Sequence, residues 1–191
     1  MADQLHDSHD IPAYVYTPLQ KEHDEIRILV LEPAWDHGSP IHVSFEVLNS
    51  SQRSSYEALS YTWGDLSLTS RVLVDQVHQL PITQNLDQVL RRLRQKAEKR
   101  RLWIDALCIN QSDDKEKSSQ IPQMHSIYHD ASNVVAWLGA GGEAETVGMR
   151  LLQQLSRWPR AKVEEIETQK GHHHFSYSQE ANIAALLSLP W

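Results

Sequence analysis

RLWIDALCINQSDDKEKSSQIPQMHSIYHDASNVVAWLG, residues 101–139, is the stretch that decides the fold class. Its pattern predicts a buried strand at 102–108, a polar loop at 109–112, a helix at 114–130 and a second buried strand at 133–138. A helix of this length between two strands is the crossover that parallel strands need. Ligands of parallel sheets usually bind beyond the carboxyl ends of the strands. The polar and acidic residues that follow the first strand are Asn110, Gln111, Asp113 and Asp114.

The residues before this stretch predict an antiparallel extension of the sheet. Alternating or apolar runs predict strands at 26–31, 41–48 and 56–63, and residues 71–82 predict a hairpin. An amphipathic helix follows the hairpin, because four apolar residues recur at helical spacing. These residues are Leu86, Val89, Leu90 and Leu93, and Thr83 or Asn85 is the predicted N-cap.

The chain is predicted to form one domain, residues 26–191, after a flexible lead-in at 1–25. The lead-in is polar, contains two prolines and has no lasting periodicity. Further helices are predicted at 143–157 and 179–189. The chain then stops at Trp191, where another element would begin, so the pattern favours a domain truncated at its C-terminal end.

Composition excludes several classes of protein. The net charge of −7 argues against a nucleic-acid binder, which needs a basic surface to displace counterions from phosphates. No apolar run approaches the roughly 20 residues that span a bilayer, and the first residues have no signal-peptide pattern. The single cysteine, Cys108, fits a reducing compartment, so a cytoplasmic location is expected. The histidine run at 172–174 lacks well-spaced partners, so no metal site is predicted.

Four segments together resemble the fungal heterokaryon incompatibility (HET) domain. They are YEALSYTWGD at 56–65, ITQNLDQVLRRLR at 82–94, LWIDALCINQ at 102–111 and IYHDASNVVAWLG at 127–139. The resemblance implies a role in programmed cell death when genetically different fungal cells fuse. It also implies fungal NLR-type or other HET-pathway proteins as partners. The chain has no G-x-x-x-x-G-K-[ST] phosphate loop, so any nucleotide-driven switching would come from such a partner.

HET domains are in turn distantly similar to Toll/interleukin-receptor (TIR) domains, which are flavodoxin-like α/β modules. Some TIR domains cleave NAD at the nicotinamide glycosidic bond, at sites that a neighbouring protomer completes. The resemblance therefore implies self-association, and NAD as a substrate with no bound cofactor. It places Glu116 where TIR enzymes carry their catalytic glutamate. The expected fold is α/β, with a mostly parallel central sheet flanked by helices, a TIR-like core and the N-terminal antiparallel extension.

Glu116 has a second reading that needs no catalysis. Asp113 and Glu116 are spaced as a capping box, with Asp113 as N-cap and Glu116 at the third helical position. A carboxylate at a helix start also interacts favourably with the helix dipole. The sequence leaves both roles open.

The other candidate residues are polar or aromatic and stand at the ends of predicted strands. Trp63 can stack on a planar ring, and Asp65 can bind a ribose hydroxyl; the alternative is a core aromatic and a turn. Asp105, inside an apolar run, needs a partner, because an unpaired buried carboxylate is costly. Cys108 fits a small buried residue better than a nucleophile. The predicted binding set is Ser60, Tyr61, Trp63, Gly64, Asp65, Asp105, Asn110 and Gln111.

The sequence thus predicts a HET-type effector in fungal incompatibility that acts after self-association, with NAD cleavage as the expected reaction. One alternative is a signalling module that only recruits partners. The other is a truncated, inactive paralogue. Neither direct membrane insertion nor nucleic-acid binding is expected.

Overall fold

A computed structural model describes residues 11–49, 56–139 and 150 of the chain. The chain divides into two units, residues 1–137 and 138–191, and every described strand and helix belongs to the first unit. The helices predicted at 143–157 and 179–189 and the histidine run at 172–174 lie outside the described residues.

The described residues form seven strands and four α-helices along the chain. The strands are β1 (Ile26–Leu31), β2 (His42–Leu48), β3 (Glu57–Tyr61), β4 (Ser70–Val74), β5 (His78–Ile82), β6 (Arg100–Trp103) and β7 (Asn133–Trp137). The helices are α1 (Gln84–Leu93), α2 (Asp105–Cys108), α3 (Asp114–Gln120) and α4 (Met124–Asp130), with 3-10 turns at Lys21–His23 and Ile121–Gln123. None of these helices combines the length and apolar character needed to cross a membrane.

The strands form one sheet in the order β5-β4-β2-β1-β6-β3-β7. Among the described strands, three neighbouring pairs are antiparallel and three are parallel, and the antiparallel pairs hold most of the paired residues. The α/β class is therefore confirmed, whereas the prediction of a mostly parallel sheet is wrong. The reason is the position of β1, which lies in the middle of the sheet and runs antiparallel to both β2 and β6. A periodic pattern carries no information about which strands become neighbours.

The apolar run predicted as a strand at 102–108 divides into two elements. Strand β6 ends at Trp103, and Asp105–Cys108 form the short helix α2. The amide of Cys108 donates to the carbonyl oxygen of Ile104 over 2.7 Å, which closes a helical turn. A short apolar run has no period of its own to separate a strand from a buried helix, so the prediction of an uninterrupted strand was wrong here.

The helical crossover itself is present. α3 and α4 occupy the predicted range, and Pro122 lies in the 3-10 turn between them, where its missing amide disturbs the helix least. β7 follows in the predicted range and runs parallel to β3, which lies between β6 and β7. The prediction that this strand is buried is wrong, because β7 is the last strand in the sheet order and its residues are exposed or half-buried. β6, β3 and β7 thus form a run of three parallel strands, and β2 and β4 are the other parallel pair among the described strands.

The core lies on both faces of the sheet. All six residues of β1 are buried, as expected for a strand covered on both sides. The predicted apolar face of α1 is buried, and Thr83 is its N-cap, with the amide of Leu86 donating to the Thr83 hydroxyl over 3.2 Å. The β4–β5 hairpin turns through Asp75 and Gln76, both with positive φ. The amide of Val77 donates to the carbonyl oxygen of Val74 over 3.2 Å and closes this turn. Two central residues with positive φ are typical of the turns that connect hairpin strands.

Candidate functional site

The carboxyl ends of β6, β3 and β7 meet at one edge of the sheet because the three strands are parallel. β3 and β7 end level with each other, with Tyr61 opposite Trp137. β6 is shorter, since its Trp103 pairs with Ala58 of β3. The chain after Trp103 therefore turns into α2 beside the last residues of β3, and side chains from both segments come together.

Asp105 and Trp63 join the segments that follow β6 and β3. The indole Nε1–H of Trp63 donates to Oδ2 of Asp105 over 3.1 Å, and the amide of Ala106 donates to Oδ1 over 2.7 Å. Burial raises the pKa of the Asp105 carboxyl above its ordinary value, and these two hydrogen bonds oppose the shift. The sequence predicted that Asp105 needs a partner, and two of the predicted binding residues form that pair.

Two tyrosines stand near this carboxylate. Burial raises the pKa of Tyr61, and the charge of Asp105 adds to the shift. Burial likewise raises the pKa of Tyr128 to about 12, again with a contribution from Asp105. The Tyr128 hydroxyl donates to the carbonyl oxygen of Leu59 over 3.0 Å. Both phenols are therefore neutral at physiological pH and face an acidic group across a half-buried edge.

Asn85, at the start of α1, joins the end of β3 to the end of β7. Its amide nitrogen donates to the carbonyl oxygen of Thr62, and its Oδ1 accepts from Nε1 of Trp137 over 3.2 Å. Gly64, with φ of +69°, lets the chain turn away directly after this contact. The sequence pattern indicates Asn85 only as a possible helix cap, a role that Thr83 fills, so Asn85 was not predicted as a site residue.

Glu116 lies in a separate, buried cluster. Its Oε1 is 2.8 Å from Nη1 of Arg27, and its Oε2 is 3.4 Å from Nη2. The backbone amide of Asn110 also donates to Oε1 over 2.8 Å. The two charged side chains are only 1% and 6% exposed. Asp113 is the N-cap, as the capping-box reading predicted, but the Glu116 carboxylate binds Arg27 and the Asn110 amide.

Arg27 has further partners that were not predicted from the sequence. Its Nη1 donates to the carbonyl oxygen of Cys108 and its Nη2 to that of Thr17, each over 2.7 Å. Its guanidinium lies 4.7 Å from the ring centroid of Tyr16. The available signal was the arginine inside the apolar strand IRILVL, because a buried cation requires an anion nearby.

The predicted binding residues therefore fall into three groups. Tyr61, Trp63 and Asp105 lie together, and the Gln111 side chain donates to the main-chain oxygen of Asp105 over 2.8 Å. Asn110 belongs to the Glu116 cluster through its amide. The remaining predicted residues, Ser60, Gly64 and Asp65, are exposed.

Asp65 and Cys108 each have a local explanation. The Asp65 carboxylate accepts from the amide and hydroxyl of Ser67, which lowers its pKa and fits the predicted turn. Burial raises the pKa of the Cys108 thiol to about 12, so the thiol stays protonated. In the described part of the chain, no group of three or more His, Cys, Asp or Glu side chains is placed to hold a metal ion.

Comparison with known proteins shows to which family and to which curated protein the chain is similar. The model of the family "Heterokaryon incompatibility protein (HET)" matches residues 56–191. Heterokaryon incompatibility protein 6, OR allele, of Neurospora crassa is 37% identical over 139 residues, which are 66% of this chain and 20% of the relative. The chain thus spans about a fifth of the length of that relative. No solved structure matches significantly.

Proposed function

The chain belongs to the heterokaryon incompatibility (HET) family, and from this we propose that it acts as an effector domain in fungal heterokaryon incompatibility. The name of the Neurospora crassa relative supports this role. The effector acts in the cytoplasm after self-association, alone or with fungal NLR-type or other HET-pathway proteins, and its action leads to cell death.

The proposed reaction is hydrolysis of NAD at the edge formed by β6, β3 and β7. The bond between the ribose C1′ and the nicotinamide nitrogen breaks, and its electron pair leaves with nicotinamide, which becomes neutral. Water forms the new bond to C1′ and releases a proton, giving ADP-ribose and nicotinamide. Since the leaving group is already cationic in NAD, the main requirement is a carboxylate near the positive charge that develops on the ribose.

The observation that carries this proposal is the hydrogen bond between Trp63 and Asp105. It places a carboxylate and an aromatic ring together where open α/β sheets usually bind their ligands. Each Asp105 oxygen accepts one hydrogen bond in the described contacts, which leaves lone pairs for a ribose hydroxyl. Trp63 is half-buried and offers a ring face for a base or for nicotinamide.

Glu116 is the other candidate carboxylate, from the TIR resemblance. To contact a ribose it would have to leave both Arg27 and the Asn110 amide, which is costly for a charge buried to this extent. The geometry therefore favours Asp105 as the catalytic carboxylate and a structural role for Glu116.

A signalling module without catalysis is the second candidate function. The observation that favours it is a pair of large apolar side chains on the loop after β3, where Leu66 is 64% exposed and Leu68 is 60% exposed. Exposed apolar side chains close together on one loop are suited to binding another protein surface.

The test uses the full chain fused to an oligomerising tag, incubated with NAD, with nicotinamide release followed by chromatography. The variants are Asp105→Asn, Glu116→Gln and, as a matched control, Asp114→Asn, which neutralises a carboxylate that is 94% exposed. Far-UV circular dichroism and urea unfolding check that each variant is folded.

We expect release by the wild type and by Asp114→Asn, and at least a hundredfold slower release by folded Asp105→Asn. Loss of release in folded Glu116→Gln alone would return the catalytic role to Glu116. If no clustered, folded protein releases nicotinamide, NAD cleavage is excluded under these conditions, and the partner-binding module becomes the better account.

A further inference from the structure

Residues 11–17, which we call the N-terminal strap, are attached to β5, the edge strand at one end of the sheet. The strap pairs with β5 through a parallel bridge between Ala13 and Gln79. The amide of Gln79 donates to Pro12 and the amide of Tyr14 donates to Gln79, each over 2.8 Å. The Gln79 side chain also donates to the carbonyl oxygen of Ile11 over 2.7 Å. The strap therefore continues the sheet beyond β5.

From β5 the strap crosses to β2 and α2 with its two tyrosines turned inward. The rings of Tyr14 and Tyr16 lie 5.0 Å apart, and both approach Phe45 of β2, at 5.1 and 6.0 Å. Val15, between them, is 81% exposed, as expected for an extended segment with one face inward. At the end of this path, the Tyr16 hydroxyl donates to the carbonyl oxygen of Leu107 in α2 over 3.1 Å.

The strap is also joined to the loop between α2 and α3, residues 109–113, through Arg27. The guanidinium binds Thr17 and the Tyr16 ring on one side, and Cys108 and Glu116 on the other. Glu116 in turn accepts from the amide of Asn110 in that loop. A continuous path of contacts thus runs from the strap to the loop that carries the predicted site residues Asn110 and Gln111.

We propose that Tyr16 and Arg27 are positioning residues for this loop. The strap is then part of the functional unit, and it sets the geometry of the sheet edge formed by β6, β3 and β7. Burial raises the pKa of the Tyr16 hydroxyl, so it remains a hydrogen-bond donor at physiological pH. Because both partners are buried, salt screens the Arg27–Glu116 ion pair much less than it screens a surface pair. Both positioning residues lie before residue 56, where the match to the family model begins.

The test is amide hydrogen exchange, read by mass spectrometry on peptides that cover residues 104–113 and on peptides from β1. The amides of Cys108, Ile109, Asn110 and Asp113 are all hydrogen-bonded, so their exchange reports opening of the loop. Tyr16→Phe removes the hydroxyl that binds Leu107. Tyr14→Phe is the matched control, since no hydrogen bond of the Tyr14 hydroxyl is seen in the described residues.

We expect exchange in residues 104–113 to be roughly fivefold faster in Tyr16→Phe, with β1 unchanged, and Tyr14→Phe to behave as the wild type. Deletion of residues 2–17 should give a larger acceleration than deletion of residues 2–10, which keeps the strap. Arg27→Lys, which retains a cation opposite Glu116, should exchange more slowly in this region than Arg27→Met.

The proposal is overturned if Tyr16→Phe and Tyr14→Phe exchange alike and the two deletions also agree, or if exchange rises equally in every peptide. The first result would show that the strap does not hold the loop, and the second that it only contributes to global stability. Exchange is measured without NAD, so it tests the strap whether or not the chain cleaves NAD.

Discussion

Two carboxylates of this domain occupy different environments. Asp105 is half-buried, accepts from the Trp63 indole and the Ala106 amide, and has no cation among the partners described for it. Glu116 is buried against Arg27, with both of its oxygens engaged. The first arrangement leaves an acidic group available to a ligand, whereas the second uses the acid to neutralise a buried cation.

Removing Arg27 should be among the most destabilising single changes. Arg27→Met leaves the Glu116 carboxylate buried without its cation, which costs about 3–5 kcal/mol of unfolding free energy. Urea denaturation measures the change. The double variant Arg27→Met/Glu116→Leu removes both charges and should be less destabilised than Arg27→Met alone. A loss below about 1 kcal/mol for the single variant would contradict the buried pair.

Trp63 should control the acidity of Asp105. The Trp63 hydrogen bond stabilises the ionised carboxylate, so Trp63→Phe should raise the pKa of Asp105 further. A carboxyl-carbon NMR titration measures this pKa directly. Trp137→Phe is the control, because it removes an indole donor that binds Asn85 instead, and it should leave the pKa of Asp105 unchanged. An unchanged or lower pKa in Trp63→Phe would refute the assignment.

The raised pKa of Asp105 also fixes the sign of its contribution to stability. The folded protein holds the Asp105 proton to a higher pH than the unfolded chain does. Its contribution to the free energy of unfolding therefore falls as pH rises from the ordinary aspartate pKa through the raised one, and this loss should be larger in Trp63→Phe.

At the scale of elements, the transition from β6 to α2 shapes the proposed site at the carboxyl ends of β6, β3 and β7. The strand ends at Trp103, and the helical turn at Asp105–Cys108 brings the Asp105 side chain beside the last residues of β3. The uninterrupted strand expected from the sequence would have placed alternate residues of this run on opposite faces of the sheet. α1 supports the same edge from its first turn, where Asn85 binds the ends of β3 and β7.

The Thr83 cap should matter to α1. Thr83→Ala removes the acceptor of the Leu86 amide and should lower the free energy of unfolding by about 1 kcal/mol. Thr83→Ser keeps the hydroxyl and should lose less. Urea denaturation of the two variants compares them. Equal losses would mean that the methyl packing of this buried residue, and not the cap, is what stabilises the helix start.

At the scale of the whole molecule, the sheet depends on strands that precede the residues matched by the family model. β1 lies between β2 and β6 and supplies Arg27, yet the match begins at residue 56. Without β1, the two halves of the sheet lose the strand that joins them, and Glu116 loses its cation.

A fragment of residues 56–191 should therefore fail to fold, whereas residues 11–191, which retain β1, β2 and the strap, should fold. Circular dichroism and urea unfolding of the two purified fragments make the comparison. Cooperative unfolding of the 56–191 fragment would show that β1 is dispensable and that Glu116 finds another partner.

Local sequence was sufficient for much of the fold. β1, the position of β7, the β4–β5 hairpin, the apolar face of α1 and the Asp113 cap were all predicted from residues within a few positions of one another. The need for a partner at Asp105 was also predicted, because the cost of a buried carboxylate does not depend on where its partner stands in the chain.

Only the tertiary structure decided the identity of the partners. Trp63 lies 42 residues from Asp105 and Arg27 lies 89 residues from Glu116, so no helical or strand period relates them. The same holds for the order and direction of the strands, which placed β1 in the middle of a mixed sheet. Sequence periodicity reports which face of an element is buried, whereas strand order and side-chain partners follow from the lowest free energy of the whole packed chain.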